Sequence, residues 1–443
     1  MDAARLPGTS RSEQVVAHVD MDCFYAACER RRTPELDGEP LIVGMGYEDG
    51  ETHGAVATAS YEAREHGVES AMAISEALER LPRRADADTS ATAADDGAAT
   101  DTGNTEPTAI YRPVDMDYYE SVAEEVRAIL HDHADVVREV SIDEAYLDIT
   151  DNVAWAEAAQ WASDLRATIE AEVGVVASVG IAPTMSAAKV ASDRDKPDGQ
   201  VVVHPGDVRD FFSDLPVEDV HGVGPVTARE LSALDIETAG ELAAADPDTV
   251  ERRFGERGRE IRRFARGEDT RSVTPKGDPK SLSRESAFTE AVEDEAEKRR
   301  KVRTLAEAVA DRAHRKDARY QTIGIKVVEP PFDINTRARS LPGPVADADL
   351  VASVALELLT EFEDSEVRKV GVRVSNLDFS AGEQASLAGF EDAGTDGESA
   401  QSNPPDRPDD DPEGQVPLTA FDADEASGSD GDGGGQASLG DFD

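Results

Sequence analysis

Two short apolar segments that lead into carboxylates constrain this chain more than any other feature of its sequence. Residues 15–19 (Val-Val-Ala-His-Val) are typical of a buried strand, and Asp20 and Asp22 end it. Asp143 and Glu144 stand in Ser-Ile-Asp-Glu-Ala-Tyr-Leu-Asp, at the turn and start of a second predicted strand. Two strand ends can bring these carboxylates together, so the sequence predicts one acidic site built by two strands.

Carboxylates at strand ends are hard oxygen ligands, which suit Mg²⁺. Dense negative charge beside phosphates serves phosphoryl transfer only when metal ions lie between them. Two ions about 3.5 to 4 Å apart can activate an attacking hydroxyl and stabilise a leaving oxygen. Either motif alone would be interpreted as ordinary solvated acids, because Asp-x-Asp is common in a chain this acidic. Together they favour a two-metal site.

The overall charge sets the conditions under which such a chain could bind nucleic acid. The 443 residues include 94 acidic and 45 basic ones, of which nine are Lys, and the net charge is −49. Such a surface repels nucleic acid at low salt. In about 1 M salt the Debye length falls to about 3 Å, which leaves only contact-range charge effective. The composition therefore favours a protein of concentrated salt and does not exclude DNA as a ligand.

Cysteines and apolar runs bear on the cellular location. Cys23 and Cys28 form no C-x-x-C pattern, which argues against a disulfide framework and a zinc site. The first 14 residues are polar and no apolar run approaches 18 residues, so neither a signal peptide nor a membrane span is expected. We expect a cytoplasmic protein.

Several segments predict an α+β domain in the first half of the chain. Residues 41–43 and 175–181 are typical of buried strands. Spacings of three and four predict an amphipathic helix with the face Trp155, Ala158, Ala162, Leu165 and Ile169. This order favours a sheet with helices packed on one face. Residues 85–108 hold several acids, no Lys or Arg and no apolar residue larger than Ala, so we expect a disordered insertion.

The second half predicts a helical, Arg-rich segment up to about Gly267 and a linker at 275–280. Another α+β domain is predicted from strands at 281–288, 322–328 and 369–374 and helices at 292–315 and 350–362. The final 64 residues, 380–443, hold 17 acids and one Arg, so we expect a disordered tail.

Several motifs in one order resemble those of the Y-family DNA polymerases, in particular the DNA polymerase IV branch. Residues 19–29 (Val-Asp-Met-Asp-Cys-Phe-Tyr-Ala-Ala-Cys-Glu) resemble the first catalytic motif, and residues 141–148 resemble the second. The resemblance covers roughly residues 15–379. Further matching segments are 55–64, similar to the fingers motif, 191–199, the hairpin near Gly222, and 280–285.

The resemblance implies a multidomain right-hand polymerase of the α+β class. It implies a ferredoxin-like palm, small fingers, a helical thumb with a helix-hairpin-helix, an α+β little finger and a disordered acidic tail. The expected bounds are 1–31 and 115–203 for the palm, 32–114 for the fingers, 204–270 for the thumb, 271–280 for a linker, 281–379 for the little finger and 380–443 for the tail.

The resemblance also implies the catalytic residues. Acids at the positions of Asp20, Asp143 and Glu144 would bind two Mg²⁺ ions, and hard oxygen ligands accept Mn²⁺ as well. The backbone carbonyl of Met21 would be a further ligand. Asp22 is not carried over as a principal ligand.

The nucleotide contacts follow from the same resemblance. Tyr25 aligns with the steric gate, a ring that excludes a 2′-hydroxyl; the alternative is a Tyr that fills the core. Thr58, Tyr61, Arg64 and Lys196 would contact the nucleotide. Tyr61 and Arg64, three apart, share a helix face, although Arg64 could be an ordinary exposed Arg. Lys196 carries extra weight because the chain uses so few lysines.

DNA contacts are expected in two regions. Gly222 and Gly224 lie in His-Gly-Val-Gly, whose backbone amides could meet a phosphate at a helix-hairpin-helix turn, although Gly-x-Gly is also a simple turn. Residues 298–303 (Lys-Arg-Arg-Lys-Val-Arg) predict a basic patch, although a charge run is usually a solvated face. The resemblance implies that this patch and Arg284, Arg337 and Arg339 contact the duplex backbone.

The acidic tail repeats Gln-x-x-Leu-x-x-Phe at 384–390, 415–421 and 436–442. The repeat resembles a sliding-clamp-binding motif, in which Leu and Phe fill a pocket. The terminal copy, with Gln436, Leu439 and Phe442, is the best candidate. Each copy lacks the second aromatic residue of the motif.

The implied function is template-directed addition of deoxynucleotides to a primer by a low-fidelity, distributive enzyme of translesion synthesis. It would act as a monomer on primer-template DNA and deoxynucleoside triphosphates, with a sliding clamp as partner. A nucleotidyl cyclase could share the two-metal carboxylates. A non-catalytic DNA- and clamp-binding scaffold is the alternative from another class of protein.

Overall fold

A computed structural model describes residues 14–86 and 107–380. This part of the chain divides into two compact units, one ending at Lys276 and the other beginning at Gly277. Both units mix helices and strands, so the predicted α+β class is confirmed. Most of the predicted insertion, nearly all of the predicted tail and the three Gln-x-x-Leu-x-x-Phe copies lie outside the described residues.

The first unit is built on a central sheet of five strands. Its strands are β1 (Val16–Met21), β5 (Val136–Glu139), β6 (Glu144–Asp148), β7 (Ala177–Ala182) and β8 (Gln200–Val202), in the order β5-β6-β1-β7-β8. Strand β1 is antiparallel to both neighbours. A smaller sheet has the order β3-β2-β4 and consists of β2 (Leu41–Met45), β3 (Ala55–Ala59) and β4 (Ile110–Pro113).

Two long helices cover one face of the central sheet. The α-helices that precede β7 include α1 (Phe24–Arg32), α2 (Tyr61–Arg64), α3 (Ile74–Arg80), α4 (Met116–His133) and α5 (Ala158–Val173). Helices α4 and α5 bury their apolar faces against Val19 and Leu147 of the sheet. Helix α5 confirms the predicted amphipathic helix, although Trp155 precedes its first residue.

The opposite face of the sheet is covered by α6 (Met185–Arg194). A Cβ atom at Gly180 of β7 would collide with the backbone at Ala188 and Ser192, so only a glycine lets the helix lie this close. The expectation of helices on one face alone was therefore wrong. The apolar pattern of α5 was visible in the sequence, whereas the small residues of α6 gave no comparable signal.

Short helices follow β8 and complete the first unit. They are α7 (Val208–Ser213), α8 (Pro225–Ser232), α9 (Ala239–Ala244), α10 (Pro247–Phe254) and α11 (Glu256–Ala265), and they share a core with α6. Asp269 joins this region to α6, because its Oδ2 accepts a hydrogen bond from the Ser186 amide at 3.0 Å.

The second unit is an antiparallel sheet in the order β11-β10-β12-β9. Its elements are β9 (Ser281–Val292), α12 (Glu295–Arg315), β10 (Arg319–Glu329), β11 (Asp333–Val345), α13 (Ala348–Leu358) and β12 (Val367–Asp378). The predicted strands and helices are confirmed with shifted ends. Helix α12 begins three residues later than predicted because Asp294 caps it, accepting from the Glu297 amide.

Lys298, the first residue of the predicted basic patch, is fully buried. Its Nζ donates to three backbone carbonyls at 2.7–2.9 Å, those of Phe362, Glu363 and Ser365. The buried ammonium thus satisfies carbonyl groups at the end of the helical turn Leu359–Phe362 and in the loop before β12. The prediction that Lys298 belongs to an exposed phosphate-binding patch was therefore wrong.

Candidate active site

The two acidic segments meet across neighbouring strands. Asp20 of β1 lies directly opposite Glu144 of β6. The Met21 amide donates to the Asp143 carbonyl at 2.9 Å, which brings the third carboxylate to the same strand ends. Asp20 and Asp143 are each 7% exposed. The sequence-based expectation that two strands bring these acids together is confirmed.

Two lysines bind the acidic cluster. Lys196 Nζ lies 2.8 Å from Asp20 Oδ1 and 2.8 Å from Asp193 Oδ1. Lys189 Nζ donates to Glu144 Oε2 at 3.0 Å. The ammonium groups offset part of the negative charge that burial would otherwise make costly.

Burial and neighbouring charges shift the pKa values of Asp143 and Glu144 in opposite directions. Burial, and then the nearby Asp20 and Glu144 carboxylates, raise the pKa of Asp143 to about 7. Burial also acts to raise the pKa of Glu144, but Lys189 and His18 outweigh it and hold that pKa below its ordinary value. The pKa values of Asp143 and Glu144 are thus shifted in opposite directions by their different neighbours.

The donor set fits a divalent cation. Donor atoms of His18, Asp20 and Glu144 all lie within 4.8 Å of one another. Asp143 stands beside this group, and its Oδ1 accepts from Ser141 Oγ at 2.5 Å. Carboxylate oxygens are the ligands that Mg²⁺ and Mn²⁺ prefer. The carboxylates of Asp20, Asp143 and Glu144 could therefore hold a metal ion.

Asp22 makes structural contacts and does not belong to this group of donor atoms. Its carboxylate accepts from Ser178 Oγ at 2.9 Å, from the Asp198 amide at 2.7 Å and from Tyr61 Oη at 3.2 Å. These contacts tie β1 to β7 and to the loop after Lys196. Asp22 is therefore a structural anchor beside the site.

Three of the predicted nucleotide contacts line one cavity of about 230 Å³, together with Lys189 and Asp193. They are Tyr61, Arg64 and Lys196. The Arg64 guanidinium lies over the Tyr61 ring, 5.1 Å from its centroid. Thr58, on β3, is fully buried and does not line this cavity.

Tyr25 lies on α1 directly beyond the acidic strand. Its side chain is 1% exposed, and its ring stacks on Tyr119 with centroids 4.7 Å apart. The ring therefore belongs to the core of the first unit as well as to the neighbourhood of the site. Its role as a steric gate stays a prediction.

Lys189 and His18 are site residues that the sequence analysis did not assign. Lys189 could have been found because lysine is scarce and this one stands seven residues before Lys196. His18 precedes Asp20 by two residues in a strand, so both side chains point to the same face. The packing of α6 brings Lys189 to Glu144, whereas His18 reaches it from the neighbouring strand β1.

The predicted DNA contacts lie in different settings. Gly222 has a φ of +84° and Gly224 immediately precedes α8, so their amides lie at a turn before a helix. Arg337 and Arg339 pair with Glu361 and Glu357, at 2.6 and 2.7 Å.

The three arginines predicted to contact DNA lie on the helix-covered side of the sheet of the second unit. Arg337 and Arg339 stand opposite the core residues Ile325 and Ile323, and Arg284 stands opposite Val372. Side chains directly opposite in antiparallel strands share a face. The other face carries mostly hydroxyl and small side chains, the cations Lys326, Lys369 and Arg373, and Glu285, which pairs with both lysines.

The chain matches known families over most of its length. Residues 19–193 match the impB/mucB/samB family, and residues 279–387 match the C-terminal domain of that family. Residues 205–236 match the IMS family HHH motif.

Curated relatives cover nearly the whole described chain. The DNA polymerase IV of Halobacterium salinarum is 60% identical over 387 residues, which are 87% of this chain and 90% of the relative. The DNA polymerase IV of Methanoculleus marisnigri is 37% identical over 378 residues, 85% of this chain and 98% of the relative.

The solved structures that are similar to this chain are DNA polymerases as well. The Y-family DNA polymerase chimera Dbh-Dpo4(243-245)-Dbh has a TM-score of 0.68 at 27% identity and covers 82% of this chain and 99% of its own. An insertion ternary complex of Dbh DNA polymerase has a TM-score of 0.57 at 26% identity, with the same coverage of 82% and 99%.

The fold and the acidic site, taken with these matches, define a DNA-directed DNA polymerase, a nucleotidyltransferase. The cyclase and scaffold alternatives are set aside. More particularly, the chain belongs to the impB/mucB/samB family, the Y-family of translesion DNA polymerases, as its motifs implied. Its work therefore lies in the response to DNA damage.

No helix among residues 14–86 and 107–380 is long and apolar enough to cross a membrane.

Proposed function

We propose that Asp20, Asp143 and Glu144, with the backbone carbonyl of Met21, hold two Mg²⁺ ions and accept Mn²⁺ in their place. Bound ions would supply the positive charge that phosphoryl transfer from a deoxynucleoside triphosphate to a primer 3′ end needs. The carboxylates fix the position of that charge. The observation that carries the proposal is the direct pairing of Asp20 with Glu144 across β1 and β6.

We infer that the cavity beside Lys196 receives the triphosphate. Arg64 and Lys196 provide charge-assisted donors there, and Tyr61 supports the Arg64 guanidinium. Thr58 would support this cavity indirectly, because it is fully buried on β3 and does not line the cavity. Tyr25 would select deoxyribose through its ring, placed on the helix that follows Asp20.

The proposed domains keep the bounds predicted from the sequence: palm 1–31 and 115–203, fingers 32–114, thumb 204–270, linker 271–280 and little finger 281–379. In the described part of the fingers the helices are short; α2 and α3 have four and seven residues. Short fingers cover little of a nascent base pair, which supports low fidelity and distributive synthesis.

We propose two DNA surfaces. The turn with Gly222 and Gly224 would offer amides to a backbone phosphate. In the second unit the open sheet face, with Lys326, Lys369 and Arg373, is the better candidate for duplex contact. Arg284 would contribute from the edge strand β9. Arg337 and Arg339 lie on the helix-covered side, each with its own glutamate partner, whereas Lys326 and Lys369 share the single carboxylate of Glu285.

The remaining proposals concern partners and location. Gln436, Leu439 and Phe442 would bind a sliding clamp; these residues lie outside the described chain. We propose a monomer that acts in the cytoplasm.

Single-nucleotide addition to a primed template tests the metal assignment. Asp20→Ala and Glu144→Ala should abolish addition with Mg²⁺ and with Mn²⁺ while the thermal midpoint changes little. Asp117→Ala removes an exposed acid at the start of α4 and is the matched control, with wild-type activity expected. Retained addition in either site variant would defeat the assignment.

A further inference from the structure

One oxygen of Glu144 is part of a closed ring of polar contacts. Lys189 Nζ donates to Glu144 Oε2 at 3.0 Å, and His18 Nε2 lies 3.3 Å from the same oxygen. On its other side His18 Nδ1 lies 2.8 Å from Ser192 Oγ. Ser192 Oγ also lies 2.7 Å from the Lys189 carbonyl oxygen, which closes the ring; when its hydroxyl donates to His18 Nδ1, the Nε2–H of the neutral imidazole faces Glu144. Four residues from three elements thus act as one unit.

His18 has little freedom within this ring. It is fully buried, and the Tyr146 ring lies beside it with centroids 4.5 Å apart. Ser192 belongs to α6, which the glycine at position 180 lets approach β7 closely. The imidazole is therefore held by a helix on one side and a strand neighbour on another, and it presents Nε2 to Glu144.

The contacts leave Glu144 with two unequal oxygens. Within the described chain, both recorded polar contacts of its carboxylate are made by Oε2. Holding one oxygen restricts rotation of the carboxylate and leaves Oε1 outside these contacts. Carboxylates that ligate metals are themselves held by surrounding hydrogen bonds, and loss of such support typically weakens metal affinity about 10- to 100-fold.

We propose that His18, anchored by Ser192, is a positioning residue that holds Glu144 ready to bind a catalytic metal ion. This inference rests on the proposed role of Glu144 as a metal ligand. His18 itself touches neither nucleotide nor DNA. Its loss should therefore act on metal binding, and through it on turnover, while the affinity for nucleotide is preserved.

The direct test is the affinity of the full chain for Mn²⁺, measured by electron paramagnetic resonance without DNA or nucleotide. Molar KCl screens weak binding of Mn²⁺ to the many exposed acids. His18→Phe keeps an aromatic ring of similar size and removes both nitrogens, and it should weaken Mn²⁺ binding about tenfold or more. His18→Gln, which restores a polar group, should recover part of the affinity.

Ser192→Ala removes the anchor and leaves His18 in place, so it should weaken binding in the same direction but less. Ser186→Ala, at another fully buried serine of α6, is the matched control and should bind as the wild type does. In primer extension, His18→Phe should raise the Mg²⁺ concentration for half-maximal rate and, at saturating Mg²⁺, leave the KM for nucleotide unchanged. Thermal melts show whether each variant is folded.

The outcomes separate two failures. If Glu144→Gln weakens Mn²⁺ binding but folded His18→Phe and Ser192→Ala bind it like the wild type, His18 is a packing residue and the inference is wrong. If Glu144→Gln itself leaves Mn²⁺ affinity unchanged, the metal assignment of Glu144 fails first. If His18→Phe does not fold, the result with Ser192→Ala decides.

Discussion

Lys196 forms a direct ion pair with Asp20, with 2.8 Å between Nζ and Oδ1. A residue expected to bind the triphosphate is thus paired with a residue expected to bind metal. Asp193 accepts the same ammonium, also at 2.8 Å. A metal ion bound at Asp20 would compete with this pair, and Asp193 would then keep the ammonium beside the cavity. Metal entry and nucleotide binding would therefore be coupled through one lysine.

Lys196→Met should raise the KM for deoxynucleotide. Hydrogen bonds to charged groups contribute about 1.5–3 kcal/mol, which corresponds to a rise of about tenfold to a hundredfold. Steady-state kinetics of single-nucleotide addition measure this change. Lys276→Met, at an exposed lysine away from the cavity, is the control. A KM like that of the wild type in Lys196→Met would remove Lys196 from the nucleotide site.

Tyr25→Ala should admit ribonucleotides, because it removes the ring that would clash with a 2′-hydroxyl. Since the ring also packs on Tyr119, the same change should cost about 3–5 kcal/mol of stability, the usual range for losing a buried aromatic ring. The ratio of kcat/KM for deoxyribo- and ribonucleotides is the measurement. Tyr25→Phe keeps the ring and should keep the preference. An unchanged preference in folded Tyr25→Ala would mean that Tyr25 only fills the core.

The open sheet face of the second unit can be compared with its helix side. Lys369→Gln should weaken primer-template binding and reduce the salt dependence of the binding constant by about one phosphate contact. Lys369 and Lys326 both pair with Glu285, so Lys326 can keep that partner in the variant. Arg339→Gln should change binding less, because Arg339 lies on the helix-covered side of the sheet, opposite Ile323. The reverse order of effects would return the DNA contact to Arg339.

Asp269 should make stability sensitive to acid. Burial acts to raise its pKa, but Arg271 beside it outweighs burial and lowers that pKa overall. A lowered folded-state pKa gives stability that is complete above the ordinary Asp pKa of about 3.9 and is lost as pH falls through the lower folded value. Asp269→Asn should therefore cost about 1.5–3 kcal/mol at neutral pH and progressively less in acid.

Thermal unfolding of wild type and Asp269→Asn from neutral to acid pH measures this difference. Asp248→Asn, at an exposed acid of α10, should leave the pH profile unchanged. A constant gap between the Asp269→Asn and wild-type curves at all pH values would show that the Asp269 carboxylate does not act through its charge.

The acidic centre could be predicted from sequence because its determinants are local. An apolar strand followed at once by Asp20, and a turn that leads into a strand at Glu144, place both acids at strand ends whatever the rest of the chain does. The helix α5 was likewise visible from its own apolar spacing.

The supporting contacts could not be predicted, because they depend on which elements pack together. His18 and Ser192 are 174 residues apart in the sequence. They meet only because α6 lies close to β7 at Gly180. The face on which Arg337 and Arg339 lie depends on the register of β11 against β10. A shift of one residue would have placed both arginines on the open face.

Primer extension at molar salt tests the central claim most directly. Wild type and Asp143→Ala are each given a primed template, all four deoxynucleotides and Mg²⁺. The wild type should extend the primer according to the template, and folded Asp143→Ala should add nothing. Equal extension by both proteins would contradict a catalytic centre built on Asp20, Asp143 and Glu144.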